Sequence, residues 1–181
     1  MIEIKQTTNH ENTMLIFFDT EFTTLTNNPK LISIGFVSKN GREFYAELSD
    51  TYQSSDASDF VRENVLPLLH GGRNLMTMSE LKVRLSQWLS EFNRPITLAT
   101  DSLQWDWPWI QIIFNDETWP ENIAPLPLLL TLNYIKNFEV FGNAVEYAYT
   151  KGLQRHHALD DANANRLGWL ASEGSFLCLK P

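Results

Sequence analysis

The sequence predicts an α/β domain built on a mixed β-sheet, and three observations carry that reading. Short apolar runs of strand length and stretches with helical spacing follow one another in the order βββααβααα. The length, 181 residues, suits a single domain. Hydrophobic residues make up 43% of the chain and charged residues 20%, enough apolar side chain to form a core.

The elements can be justified in turn. Met14–Asp19 (MLIFFD) is almost wholly apolar and reads as a buried strand. Leu31–Ser38 (LISIGFVS) reads as a second strand, Asn40–Gly41 as a turn, and Glu43–Leu48 (EFYAEL) as a third strand completing a hairpin. Asp56–Leu69 reads as a helix, with Phe60, Val61, Val65 and Leu66 at helical spacing. Ser79–Phe92 is the clearest helix, with Leu81, Leu85, Trp88, Leu89 and Phe92 on one stripe and Ser79 as its expected N-cap. Ile96–Thr100 (ITLAT) reads as a fourth strand. Ser102–Phe114 reads as a helix in which Pro108 occupies a first turn or makes a kink. Pro120–Pro127 is a proline-punctuated loop, and Phe138–Tyr149 and Asp160–Ser172 are two further helices. Residues 14–181 thus read as one domain. MLIFFDTEF looks like a complete beginning, so residues 1–13 read as an N-terminal extension, either disordered or upstream of the true start.

Charge and cysteine content exclude some classes of function. Lys and Arg number 14 against 22 Asp and Glu, a net charge of −8. That argues against coating long nucleic acid through a basic surface. It leaves room for an acidic pocket that holds cations, which reverse the local sign. A single cysteine, Cys178, allows no disulfide within the chain and suits a reducing, cytoplasmic setting. The polar start lacks the apolar run of a signal peptide, and no apolar stretch is long enough to span a bilayer.

Three groups of residues carry chemistry. Asp19-Thr20-Glu21 follows the first strand; alternate residues share a face, so both carboxylates project together, roughly 7 Å apart along the chain. Two such carboxylates repel unless a cation lies between them, although a solvated turn would also suit the pair. Asp106 lies near a helix start among Trp105, Trp107 and Trp109, where an unpaired charge is costly. Asp101 competes for the same role, although Asp101-Ser102 also suits a helix cap. His156-His157-Ala158-Leu159-Asp160-Asp161 closes the set. Its acids complement a helix N-terminus, and its small Ala158 and Ala162 allow close approach to a sheet.

In order and content these groups closely resemble the DEDDh family of 3′–5′ exonucleases, over roughly residues 14–171. The family pattern is Asp-x-Glu, then an aromatic–Asp pair, then His-x-Ala-x-x-Asp. Here these stand as Asp19-Thr20-Glu21, Trp105-Asp106 and His156 to Asp161, and Asp106 is preferred over Asp101 because Trp105 matches the aromatic. FFDTEF, LISIGFVSKNGREFYAE and FVRENVLPLL further resemble the RNase AS-type branch of small exoribonucleases. The resemblance implies an RNase H-like fold, with helices flanking a mixed central sheet. It implies two Mg²⁺ or Mn²⁺ ions held by Asp19, Glu21, Asp106 and Asp161, and His156 as the general base, a task its ordinary pKa of about 6.5 suits. It also implies a single-stranded or short RNA 3′ end as substrate, in that branch one that contains adenylate, with nucleoside 5′-monophosphates as products, and a homodimer. Thr20 and Phe22 are the expected substrate contacts, with Phe22 against the terminal base. Trp107 and Trp109 read as core; His157 is the second candidate for the base and otherwise reads as a surface histidine. Two alternatives remain open: a 3′–5′ exonuclease acting on DNA, and a non-catalytic RNA-binding protein that keeps the fold.

Overall fold

A computed structural model describes residues 13–26, 28–115, 118–132 and 134–172. Apart from Thr13, the predicted N-terminal extension lies outside the described residues, as does Cys178. Six strands form one mixed sheet: β1 (Met14–Phe22), β2 (Leu31–Ser38), β3 (Glu43–Leu48), β4 (Leu75–Met76), β5 (Ile96–Thr100) and β6 (Leu128–Leu129). Their order across the sheet is β4-β3-β2-β1-β5-β6. β2 is antiparallel to both β1 and β3, whereas β5 runs parallel to β1 and to β6. Among the described residues, five α-helices accompany the sheet: α1 (Asp59–Asn64), α2 (Met78–Ser90), α3 (Leu103–Ile113), α4 (Phe138–Thr150) and α5 (Ala158–Ala171). This is the α/β architecture that the element order predicts.

The period-2 alternation of β1 divides the core into two layers. Met14, Ile16 and Phe18 pack with Leu81, Leu85 and Leu89 of α2 and with Ile110 and Ile113 of α3. Leu15 and Phe17 pack on the opposite face with Phe141 of α4 and with Ala162 and Trp169 of α5. Continuing the alternation past Phe18 places Asp19 and Glu21 on the α5 side and Thr20 and Phe22 on the α3 side. A register shift between Glu21 and Phe22 bulges the strand pair at the point where the chemistry begins.

α5 sits unusually close to the sheet. Gly35 of β2 pairs with Asp19, and a Cβ at Gly35 would overlap the backbone of Leu159 and lie 2.6 Å from the carbonyl carbon of Ala158. Ala158, Ala162 and Ala164 are fully buried beneath the helix. Small residues on both partners let the helix backbone reach the strand backbone.

Several sequence expectations need correction. The segment 56–69 is not one helix but a 3₁₀ turn at Ser54–Asp56, the six-residue α1, and a second 3₁₀ turn at Leu66–Leu68. Pro67 lacks the amide hydrogen that would continue α1, and the Ser58 cap starts the helix late. α2 begins one residue earlier than expected; its N-cap is Thr77, which forms a reciprocal capping box with Glu80. α3 accommodates Pro108 in its interior rather than in its first turn. The two-residue strands β4 and β6 were too short for the sequence to signal. Among the described residues, no helix is long and apolar enough to cross a membrane.

Candidate active site at the carboxyl ends of β1 and β5

β1 and β5 run parallel, so both carboxyl ends reach the same edge of the sheet, where open α/β sheets commonly bind ligands. A cleft of about 550 Å³ opens there. Asp19, Glu21, Asp106, His156 and Asp161 line its polar side, so the structure brings five residues from the three sequence groups into one cleft. Phe22, Leu25, Phe60, Val61, Val65 and Trp105 form its apolar side.

Two clusters of potential ligand atoms emerge. Glu21, His156 and Asp161 each offer an atom within 4.8 Å of the other two, and so do Asp19, Asp101 and Asp106. Asp101, which sequence reasoning set aside, therefore stands beside Asp106 rather than replacing it. A hydrogen bond from the buried Asn165 of α5 holds its carboxylate at 2.9 Å. Ser102 makes no side-chain cap for α3. Asp106 itself is 2% exposed, and both its oxygens accept hydroxyl hydrogen bonds, one from Thr20 at 2.6 Å and one from Thr100. The Thr20 hydroxyl is thus engaged with Asp106, while Phe22 stacks on Trp105 with centroids 5.7 Å apart. Trp107 and Trp109 are core residues, each 8% exposed.

Asp161 sits in the first turn of α5. Tyr149 donates to one of its oxygens at 2.5 Å, and the His156 amide donates to the other at 2.9 Å. Nothing in the sequence pointed to Tyr149, which lies in a different helix, or to Thr100, the last residue of β5. His156 adopts a left-handed backbone, φ 66°, and its ring meets Phe60 edge-on at 5.0 Å. His157 is not the surface histidine expected from the sequence. It is 3% exposed, and its ring packs against Tyr45 and His70.

The carboxylates crowd one another in a poorly solvated place. Burial, followed by repulsion from its neighbours, holds Asp19 well above the usual carboxylate range. Burial likewise pushes Glu21 up to about 8, with Asp161 and Asp106 adding to the effect. Burial pushes Asp106 up to about 7 against the opposing Thr100 and Thr20 hydrogen bonds, and Asp161 up to about 6. Burial and Arg155 lower His156, so its imidazole is neutral near pH 7 and able to accept a proton. This donor set of oxygens plus one imidazole, with no thiolate and with mutually repelling acids, fits hard divalent cations such as Mg²⁺ or Mn²⁺.

These raised values have a consequence for stability. Below about pH 4 the acids are protonated in both the folded and the unfolded chain. As pH rises, the unfolded chain releases its protons first and the folded site lags, so the folded state loses relative stability until about pH 8. The metal-free protein is expected to melt several degrees lower at pH 8 than at pH 6, and saturating Mn²⁺ should remove most of the difference. Thermal melts at both pH values, with and without Mn²⁺, provide the check. A difference that Mn²⁺ leaves unchanged would place its origin outside this cleft.

Comparison with known proteins adds an independent observation. Two curated relatives, from the CDC 1551/Oshkosh and H37Rv strains of Mycobacterium tuberculosis, are each named 3′-5′ exoribonuclease and are 38% identical to this chain over 97 residues. The match covers 54% of this chain and 54% of each relative, so the chain spans about half the length of the relatives it matches. A solved family B DNA polymerase from the hyperthermophilic archaeon Pyrobaculum calidifontis aligns over 79% of this chain and 19% of its own, with a TM-score of 0.37 and 11% identity. No family profile matches the chain.

Proposed function

We propose that this protein is a metal-dependent 3′–5′ exoribonuclease of the DEDDh type, close to the RNase AS-type branch. In this reading it removes nucleoside 5′-monophosphates from single-stranded or short RNA, including adenylate-containing ends. The observation that carries the reading is the meeting of Asp19, Glu21, Asp106, Asp161 and His156 in one cleft, although they come from three distant parts of the chain. The name of the two relatives, 3′-5′ exoribonuclease, supports RNA as the substrate and the 3′ end as the point of attack.

Glu21 and Asp161 would hold one divalent ion, and Asp19 with Asp106 and Asp101 a second; Asp19, which Glu21 and Asp161 also repel, would help to hold the first. When bound, such a pair supplies an activated water and charge that stabilises the leaving oxygen. The chain's own residues do the rest. Neutral His156 takes the proton of the attacking water on its imidazole. Tyr149 and the His156 amide fix both oxygens of Asp161, and Thr20 and Thr100 fix both oxygens of Asp106, so neither carboxylate must be oriented during the reaction. Phe22, backed by Trp105, offers a flat apolar face to the terminal base, and Leu25 and Phe60 extend that face outward. With net charge −8, grip is local and confined to the strand end. A cytoplasmic homodimer completes the reading.

The test is a single assay on matched RNA and DNA oligomers, labelled at either end, with Mg²⁺ present. Immediate release of labelled mononucleotide from 3′-labelled RNA, with progressive shortening of 5′-labelled RNA, is the expected result. Faster loss of DNA would reassign the substrate. No cleavage together with no Mn²⁺ binding by calorimetry would favour a non-catalytic RNA-binding protein.

A further inference from the structure

We propose that His157 is a positioning residue: clamped between Tyr45 and His70, its ring sets the left-handed turn that aims His156 at Glu21 and Asp161. The proposal builds on the reading of His156 as the proton acceptor.

His157 is the N-cap of α5, and its Nδ1 accepts the Asp160 amide at 3.4 Å. An acceptor of this kind could be supplied by a compact Ser or Asn, which rank among the preferred caps. Here the cap is a bulky imidazole, 3% exposed, whose centroid lies 4.6 Å from that of Tyr45 and 4.8 Å from that of His70. Since Nδ1 accepts, the ring proton resides on Nε2, which is buried without a hydrogen-bond partner among the described residues. The ring is thus held in its slot by its two faces and by the single Nδ1 contact to Asp160.

The slot itself is built deliberately. Glu47 of β3 is 1% exposed, and its two oxygens accept the amides of His70 and Gly71, at 2.6 and 2.8 Å. A buried carboxylate spent on two backbone amides pins the loop that carries His70, and Gly71 adopts φ 64° to allow it. From Glu47 the contacts run through His70 to His157 and from there to its chain neighbour His156. The residue before this cap, His156, turns sharply at φ 66°, a costly conformation for a side chain with a Cβ. Its amide is then drawn onto Asp161 and its ring into reach of Glu21.

Two variants test this. His157→Asn keeps a capping acceptor and loses the ring, whereas His70→Ala removes one wall of the slot at an exposed residue. Three quantities are measured for each: steady-state turnover of 3′-labelled RNA, Mn²⁺ affinity by calorimetry, and the imidazole Cε1–H resonance of His156. For His157→Asn, kcat is expected to fall by about tenfold or more while KM and Mn²⁺ affinity stay within about twofold, because misplacing a reacting group mainly costs turnover. The His156 resonance should move. His70→Ala should act in the same direction by about threefold. Wild-type kcat and an unmoved His156 resonance in both variants would overturn the proposal. A loss of turnover matched by an equal loss of Mn²⁺ affinity would do the same, since it would mean that the whole start of α5 had shifted. If the wild-type protein releases no nucleotide, the nuclease reading falls, and the resonance alone decides whether His157 places His156.

Discussion

Asp19→Asn is expected to abolish nucleotide release from RNA while making the metal-free protein more stable. Asp19 is tied to both sides of the site: it stands within 4.8 Å of Asp101 and Asp106, and Asp106, Asp161 and Glu21 all raise its pKa. A neutral amide there removes a ligand shared by both proposed ions. Charge stabilisation of this kind is worth several kcal/mol, and each 1.36 kcal/mol is tenfold in rate, so the loss should be about 10³-fold or more. The same change removes an ionisable carboxyl whose charged form burial and its acidic neighbours disfavour, so the variant should melt above the wild type at pH 8 without metal. Single-turnover kinetics and a thermal melt measure both effects. Turnover within tenfold of the wild type would remove Asp19 from the chemistry.

Gly35→Ala should produce the largest structural effect of any glycine-to-alanine change among the described residues. The new Cβ would overlap the backbone of Leu159, and backbone cannot move aside as a flexible side chain can. α5 would have to lift from β2, opening the layer that holds Ala158, Ala162 and Trp169. Overpacking of this kind costs about 1–3 kcal/mol or more, which corresponds to several degrees of melting temperature in a domain of this size. Because α5 carries Asp161 and is preceded by His156, turnover should fall along with stability. Gly142→Ala in α4 is the matched control: its Cβ would meet no atom within 4 Å, and alanine suits a helix interior better than glycine. Thermal melting of both variants tests the contrast; if Gly35→Ala melts with the wild type, the close seat of α5 on β2 is not what holds the site together.

Much of the site was legible because its signals are local. Asp19 and Glu21 share a face by strand periodicity, and Ala158 and Ala162 mark the close approach of a helix. β2, β3 and β5 have the bounds that their apolar runs predict. The segment 56–69 misled because Phe60, Val61, Val65 and Leu66 mimic helical spacing. Phe60 is 53% exposed and turns toward the cleft rather than the core. The groups that orient the acids were invisible: Tyr149, Thr100 and Asn165 each reach their carboxylates from another element or turn, and hydroxyls and amides carry no periodic signature.

The sequence by itself determined which residue types could do the chemistry and which strand and helix ends would carry them, since patterning and capping act within a few residues. Only the tertiary structure decided that Asp101 stands with Asp106, that His157 is buried beneath Tyr45 and His70, and that Gly35 admits α5. Those outcomes depend on how elements distant in sequence pack against one another: an excluded volume or a shared hydrogen bond exists only once the chain has closed on itself.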